Sequence, residues 1–517
     1  MTMHGQATER KTAGERNEAG RTGGVASAPP APVHATGQGR AAPRGVDGFR
    51  YHRVEKRIMR MIDSGEYPPG ERLPSLRSLS LAMSVSIATA THAYMELERK
   101  GVIEARPRSG YFVRARFRRL PTPASPSAQL SEPQVVNRGE LIRTVLHTVG
   151  NTDILPFGVA SPARELLPVK ALGRIMAQVV KDRPGRALDY EIIPGSPELR
   201  RQIAFRSMDT GADVGPQDLL ITTGCMEALY IALRCVTRPG DNVLIQSPSY
   251  YCFLQLLETL GLRAIEIPSH PEAGVSPRDL HEALDTYDIQ ACILTPNFNN
   301  PDGALTPGEA RREIVRMLAR RDIPLVEDDV YGELHFGPRR PGVCKRYDDK
   351  GLVILCSSFS KTLSPGYRVG WMAPGRFMDK ALDIKATTSV CSATPTQMAV
   401  AEYLRQGHFD RHLKRLRSAI ERQMQMVQAQ LAASFPAGLR VTRPHGGLVL
   451  WLELPERVDA VRLFFKAKAE GVGIAPGPIF STQEKFGHFI RISCNGLWDD
   501  RTRDGLARLG QLVAAWA

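Results

Sequence analysis

The sequence predicts an α/β domain on a mostly parallel sheet, preceded by a small basic α+β module and followed by a smaller α+β segment. Three observations predict this. First, short apolar runs alternate with longer amphipathic stretches from about residue 138: LLIT (219–222), NVLIQ (242–246), ACILT (291–295), IPLVED (323–328) and LVILCSS (352–358). Runs of that length, separated by helical patterns, are what a sheet covered by helices requires. Second, residues 49–114 are dense, patterned and basic. Third, the pattern changes after about residue 396. A long polar helix (roughly 397–433) is expected there, then the apolar runs LVLWLELP (448–455) and HFIRIS (488–493). The expected boundaries are 1–48, 49–114, 115–137, 138–396 and 397–517.

At 517 residues the chain is long enough for two or three domains. Its charge of +14 is unevenly spread. Residues 49–119 hold 15 Lys/Arg against 7 Asp/Glu, and residues 1–48 hold 6 against 4. A basic excess packed into so short a segment fits either a polyanion partner or a solvated basic surface. Residues 1–48 are rich in Ala, Gly, Pro and Arg and read as a disordered arm. Residues 115–137 read as a basic stub and a Pro/Ser linker. No apolar run approaches the length of a membrane span, and the N-terminus has no secretory apolar core, so a cytoplasmic protein is expected. Eight cysteines without a CxxC pair read as small buried hydrophobes in a reducing compartment, and the twelve histidines show no metal-ligand spacing.

Within the basic segment, Tyr51, Val54, Ile58 and Ile62 recur at helical spacing. YPPGERLPS (67–75) is a Pro/Gly-punctuated turn that leads into a short helix from Leu76 to about Met83. Ser86 is placed to cap a third helix with the apolar stripe Ala90, Ala93, Tyr94 and Leu97, and Gly101 ends it. VIEARPRSGYFVR (102–114) then reads as two strands about a turn at Ser109-Gly110. Three helices and a hairpin make a winged helix-turn-helix, whose last helix enters the DNA major groove by its N-terminal end.

The second candidate site centres on SSFSKTLSPGYRVGW (357–371). A lysine, Lys361, preceded by hydroxyls and followed seven residues later by Arg368, is what pyridoxal phosphate needs. The amine forms a Schiff base with the cofactor aldehyde, while hydroxyls and the arginine fork take the phosphate. An acid must hold the pyridine nitrogen protonated. Asp328, in VEDDVYGEL (326–334), ends an apolar strand, with Glu327 and Asp329 as competing carboxylates. Tyr331 and Asn300, the latter in TPNFNNPDG (295–303), are candidate donors to the ring oxygen. TTGCMEALY (222–230) is a strand-to-helix junction suited to phosphate. Tyr250, or its neighbour Tyr251, is placed to stack on the ring.

On these motifs, residues from about 150 to 515 resemble a fold-type I aminotransferase of the group that includes kynurenine and aminoadipate aminotransferases. The resemblance implies that Lys361 is the Schiff-base lysine, that Ser358, Ser360 and Arg368 bind phosphate, and that Asp328 pairs with the pyridine nitrogen. It assigns Asn300 and Tyr331 to the ring hydroxyl, Tyr250 to stacking, and Tyr190 (in LDYEIIPGSPELR) to the phosphate of a neighbouring subunit. Arg491, in FIRIS, matches the arginine that clamps an α-carboxylate. Cys225 and Met226 depart from the usual hydroxyl and amide, leaving their backbone N–H groups for phosphate. The basic module is similar to the GntR family in its PGERLPSLR, its V-S-x-x-T block and its final GYFV. That likeness implies DNA contact through Arg77, Ser86, Thr89 and the wing glycine Gly110. The family often has an arginine near Ile87, so base reading here falls to Thr89, Thr91, His92 or apolar contact.

Joined in this order, the halves resemble the MocR subfamily of transcriptional regulators. The resemblance implies a cofactor-binding homodimer that senses an amino acid or amine and binds operator DNA. A working aminotransferase with a DNA module attached, and a regulator whose fold holds no cofactor, stay open as alternatives.

Overall fold

The computed structural model describes residues 50–516 apart from 64–65, 68–70, 107–108, 114–119, 126–129, 131, 137–138 and 147–152. The expected arm (1–48) and basic stub lie outside the described residues.

The N-terminal head has three helices, α1 (Arg50–Asp63), α2 (Leu76–Met83) and α3 (Ile87–Arg99), and the antiparallel hairpin β1 (Ile103–Arg106) with β2 (Gly110–Val113). Val54, Ile58, Leu79, Ala90, Ala93, Tyr94, Leu97 and Val113 form its core. The hydroxyl oxygens of Ser75 and Ser86 accept from backbone N–H groups of Ser78 and Thr89, so α2 and α3 each begin on a serine cap. Gly101, at φ +66°, takes the left-handed position that ends α3.

The body carries a nine-stranded sheet in the order β3-β6-β5-β8-β9-β10-β11-β4, with β7 on β6. Its strands are β3 (Gln134–Val135), β4 (Leu220–Thr222), β5 (Asn242–Ser247), β6 (Arg263–His270), β7 (Gly274–Val275), β8 (Ala291–Leu294), β9 (Leu325–Asp328), β10 (Val353–Ser358) and β11 (Gly370–Ala373). The central β6-β5-β8-β9-β10 run is parallel; β3, β11 and β4 join antiparallel. Central strands of such a sheet are covered on both faces and read as unbroken apolar runs, which is why four of them, β5, β8, β9 and β10, were legible, together with the edge strand β4. β6 and β11 were not separated in the sequence. β11 follows the phosphate-type loop directly, and its GWMA was absorbed into that motif.

A second sheet, β12 (Arg440–Val441), β13 (Val449–Glu453), β15 (Phe489–Ser493) and β14 (Ala475–Pro476), is antiparallel throughout in the order β12-β13-β15-β14. Its core includes Trp451, Phe464, Phe480 and Ile490, but also Ile142, Val145 and Phe157. The smaller subdomain is therefore built from both ends of the body, not from 397–517 alone. Apolar residues near 139–158 carry no mark of which core they join.

The single helix expected over 397–433 is two, Thr394–Arg405 and His408–Ser434. Gly407 lies between them at φ +69°, a left-handed conformation that ends one helix before the next begins. The first helix packs with Leu199, Ile203 and Leu172 of the large subdomain, so the change of subdomain falls later than residue 396.

The described part of the expected linker is held against the body. Leu120 packs on the small-subdomain core, Val441 N donates to Pro121 O at 2.8 Å, and Ala124 N donates to Glu453 Oε2 at 3.3 Å. Further on, Gln134 and Val135 pair with Ala264 and Arg263 at the edge of the large sheet. A Pro/Ser-rich composition signals lack of internal structure, not lack of docking.

Candidate functional site

Parallel strands deliver their C-terminal ends to one edge of a sheet, and the cleft there collects side chains from several strands. In this protein β8, β9 and β10 lead directly to Asn300, Asp328 and Lys361. A cavity of about 160 Å³ lies at this edge. Its walls include Cys225, Met226, Tyr250, Asn300, Asp328, Tyr331, Ser358, Ser360, Lys361 and Arg368, ten of the residues named from the sequence.

Lys361 is half-buried, and its Nζ donates to Ala160 O at 2.6 Å. Burial, with Arg491 adding repulsion, pulls the amine down to about 8. Asp328 is pushed up to about 7 by burial. It accepts from Val330 N at 3.0 Å and from the Cys225 thiol at 3.6 Å, and no cation among the described residues hydrogen-bonds to it. The competing carboxylates are turned elsewhere. Glu327 accepts from Cys344 N (2.7 Å) and Lys345 N (3.0 Å); Asp329 pairs with Arg340 and takes a hydrogen bond from Asn297. Likewise Tyr250 lines the cavity, while Tyr251 packs against Phe480.

Asn300 accepts from Arg491 through Oδ1 at 3.1 Å, and its Nδ2 is buried without a partner. Arg491 is fully buried. It also contacts Gly158 O, and its guanidinium lies 5.6 Å from the centroid of the Phe480 ring, while its Nε has no hydrogen-bond partner among the described residues. A buried guanidinium facing neutral acceptors is suited to bind a carboxylate. Arg491 does not line the cavity itself; it stands behind Asn300.

At the opposite end, the helix Cys225–Val236 starts at Gly224 without a side-chain cap, leaving its first N–H groups available. Gly224 has φ +80°, and a Cβ there would run into the Arg368 guanidinium. Arg368 Nη2 donates to Thr223 O (3.1 Å) and Nη1 to Ser360 Oγ (3.3 Å); Ser358 Oγ accepts from Ser360 N (3.3 Å). This makes a compact cradle of one cation, two hydroxyls and free amides.

Tyr190 lies away from the cavity, 85% exposed. Leu188, Ile192, Phe205 and Met208 are also exposed. Sequence reasoning missed Thr295 and Val330 on the cavity wall and the carbonyls of Gly158 and Ala160, which hold Arg491 and Lys361. Backbone acceptors have no residue signature, so only Thr295, at the end of an apolar run, could have been picked out.

The cavity joins a lowered amine, an unpaired acid, an unpartnered amide donor and an anion cradle. Those are the groups that pyridoxal phosphate requires, and the residues present fit it. No group of His, Cys, Asp or Glu among the described residues could hold a metal ion.

In the head, Arg77 is exposed on α2. Ser86 and Thr89 sit at the N-terminus of α3 with their hydroxyls 2.8 Å apart. Gly110, at φ +99°, opens the second wing strand, and the Arg72 side chain lies over it. Thr91 and His92 are less free than their spacing suggests. The Thr91 hydroxyl donates to Ile87 O at 2.8 Å, and His92 packs on Tyr51 with centroids 4.1 Å apart.

Two family models match the chain: "Bacterial regulatory proteins, gntR family" over residues 50–113 and "Aminotransferase class I and II" over 166–509. The uncharacterized HTH-type transcriptional regulator YjiR of Escherichia coli is 38% identical, covering 90% of this chain and 98% of its own. The 2-aminoadipate transaminase of Thermus thermophilus is 33% identical over 72% of this chain and 93% of its own. Among solved structures, the α-aminoadipate aminotransferase LysN of Thermus thermophilus, complexed with N-(5'-phosphopyridoxyl)-L-leucine, superposes with a TM-score of 0.68. It is 31% identical and covers 74% of this chain and 96% of its own. The kynurenine aminotransferase of Pyrococcus horikoshii gives a TM-score of 0.68 at 26% identity, covering 73% and 95%. The cofactor of the body is pyridoxal phosphate. Because the likeness to regulators such as YjiR runs through the DNA-binding head and the aminotransferase-like body alike, the chain belongs to the MocR subfamily of GntR-type transcriptional regulators.

Proposed function

We propose that this regulator senses an amino acid or small amine at the Lys361–Asp328–Arg491 site and changes its affinity for operator DNA in response. The observation that carries this reading is that one cavity joins a lowered lysine amine, a buried unpaired acid and a phosphate-type cradle, in a chain with a DNA-binding head. Pyridoxal phosphate, when bound, supplies an aldehyde that captures primary amines and a ring that withdraws electrons.

The residues then act as follows. Lys361 Nζ, whose ammonium is disfavoured by burial, offers a neutral amine for covalent attachment. Asp328 holds a proton on the ring nitrogen, because an ion pair relieves a carboxylate that burial leaves uncompensated. Asn300 Nδ2 and the Tyr331 hydroxyl donate to the ring oxygen, and Tyr250 stacks on the ring. Ser358, Ser360, Arg368 and the N–H groups at Cys225 and Met226 bind the phosphate. Arg491 presents a planar fork to the effector carboxylate. Tyr190 reaches the phosphate of a partner subunit in a homodimer, and the exposed apolar residues around it support such an interface. An effector bridging Arg491 on the small subdomain and the large-subdomain cavity binds one arrangement of the two better than another. Operator affinity shifts by that difference and no more. In the head, Arg77, Ser86, Thr89 and Gly110 meet DNA. The protein therefore works in the cytoplasm with its operator, and no helix among the described residues is long and apolar enough to cross a membrane.

The test is a visible absorbance spectrum of cofactor-loaded protein with a panel of amino acids, beside Lys361→Ala, followed by operator retention with the same ligands. The expected result is a Lys361-dependent band that one amino acid alters, with a parallel change in DNA affinity. If every amino acid leaves both spectrum and retention unchanged, the sensor reading fails. Retention of Lys361, Asp328 and Arg491 together favours a second reading, a working aminotransferase. Turnover of an amino acid with a keto acid faster than about 1 per second would establish it.

A further inference from the structure

We propose that the protein has a second small-molecule site, beneath the linker, for an organic ammonium ion with an apolar body. The inference does not depend on the sensor reading above. A cavity of about 350 Å³ opens at the joint between the subdomains and shares no lining residue with the first. That volume is in the range of small-molecule pockets.

Its floor is aromatic. Trp451 is 2% exposed; Phe489 stacks on it at 5.4 Å and 24°, and Phe486 meets it edge-on at 5.6 Å and 74°. The chain accepts a left-handed backbone at Phe486 (φ +61°), which costs a non-glycine residue on the order of 1–3 kcal/mol, and so gives the wall a third ring. Ring faces of this kind attract cations.

The polar wall has the opposite sign. It carries Glu453 and Glu456; Asp302, from the large subdomain, also lines it, but burial pushes its carboxyl up to about 7 and it already accepts from Ser269, Asn299 and Ala304 N, so it adds little charge. Lys485, also on the wall, stands 3.7 Å from buried Glu266 and is already engaged. Glu453 is shared with Arg440 (3.0 Å) and His488 (3.9 Å), whereas Glu456 is exposed and shows no ion pair among the described residues. An ammonium gains from both features of the pocket, rings and carboxylates, and an anion is repelled by the second.

The remaining wall is the linker, through Ala124 and Ser125. Ala124 N donates to Glu453 Oε2, the same carboxylate that faces the cavity. An occupant that engages Glu453 therefore touches the anchor of the segment leading to the DNA-binding head.

The test uses benzyltrimethylammonium, which has no N–H and cannot condense with the cofactor in the first site. It is titrated calorimetrically into cofactor-loaded, full-length protein at constant ionic strength, with benzenesulfonate as the charge-inverted control. Saturable binding of the cation, with the cofactor absorbance unchanged and no binding of the sulfonate, is expected. Glu456→Gln, at an exposed position that does not threaten folding, should weaken it about threefold, and the Glu453→Gln/Glu456→Gln pair about tenfold. The proposal is overturned by absence of saturable binding, by equal binding of benzenesulfonate, by affinity unchanged in both carboxylate variants, or by displacement of the cofactor band.

Discussion

At the scale of single residues, burial with only neutral hydrogen-bond partners is what marks the first site. Lys361 at about 8 has roughly a tenth of its amine neutral at pH 7, against fewer than about one in a thousand for an exposed lysine. The rate at which cofactor is captured, followed by the growth of visible absorbance, is expected to rise with pH and level off above about 8. A midpoint near that of an ordinary lysine would contradict the buried amine, and Lys361→Ala should show no capture. Asp328 makes the complementary prediction for cofactor-free protein. Its folded-state pKa of about 7 lies above that of unfolded aspartate, so the folded state holds the proton more tightly. Its stabilising contribution is full below about pH 4 and is lost as pH rises towards 7, by an amount on the order of a few kcal/mol. Asp328→Asn should therefore gain stability relative to the parent between about pH 5 and about pH 8, measured by paired urea unfolding. A pH-independent difference would sink this account. The same variant should bind cofactor more weakly, because the ring nitrogen loses its counter-charge.

At the scale of elements, the junction between β4 and the Cys225–Val236 helix is the most constrained. Gly224 combines φ +80° with close approach of Arg368. With ψ 173° it lies in an extended positive-φ region that is essentially glycine's alone, so Gly224→Ala should cost on the order of 1–3 kcal/mol of stability from backbone conformation alone. It should also displace Arg368 and weaken cofactor binding well beyond what that loss predicts. A variant that loses stability but keeps cofactor affinity would mean that Arg368 is not held there for the phosphate. Element identity was largely legible: the head's helices and hairpin, and the buried parallel strands, follow from caps, turn residues and apolar runs. The break at Gly407 was not, because the polar pattern runs on through it and only the backbone conformation of one glycine divides the helix. Among candidate site residues, the sequence favoured Asp328 over Glu327 and Asp329 by likeness of motif, while the direction of each side chain was set by the fold. Three adjacent acids at a strand end differ only in which way the last turn of chain points them.

At the scale of the molecule, Leu188, Tyr190, Ile192, Phe205 and Met208 are large apolar side chains left exposed, and they are the surface offered above for a second copy of the chain. Leu188→Asp is expected to shift the protein from dimer to monomer in sedimentation, and with it to weaken operator binding, since two heads on two half-sites reinforce one another. An unchanged dimer would place the interface elsewhere. The basic charge of the head sets a second expectation. Arg77→Ala should weaken binding and reduce the slope of log affinity against log salt by about one, if it meets a phosphate. A loss confined to one base position, at unchanged slope, would make it a base-reading residue instead.

What the sequence alone determined were the two modules, their order, and most of the residues that line the first cavity. Caps, turn residues, apolar periods and the spacing around Lys361 are local features, written in contiguous residues. The tertiary structure alone decided which core Ile142, Val145 and Phe157 join, that Pro121 and Ala124 dock on the small subdomain, and that carbonyls at Gly158 and Ala160 hold Arg491 and Lys361. The cavity between Trp451, Asp302 and Ala124 also exists only in the folded chain. Each of these brings together residues more than a hundred positions apart, and such contacts depend on how whole surfaces pack, which no single stretch of sequence encodes.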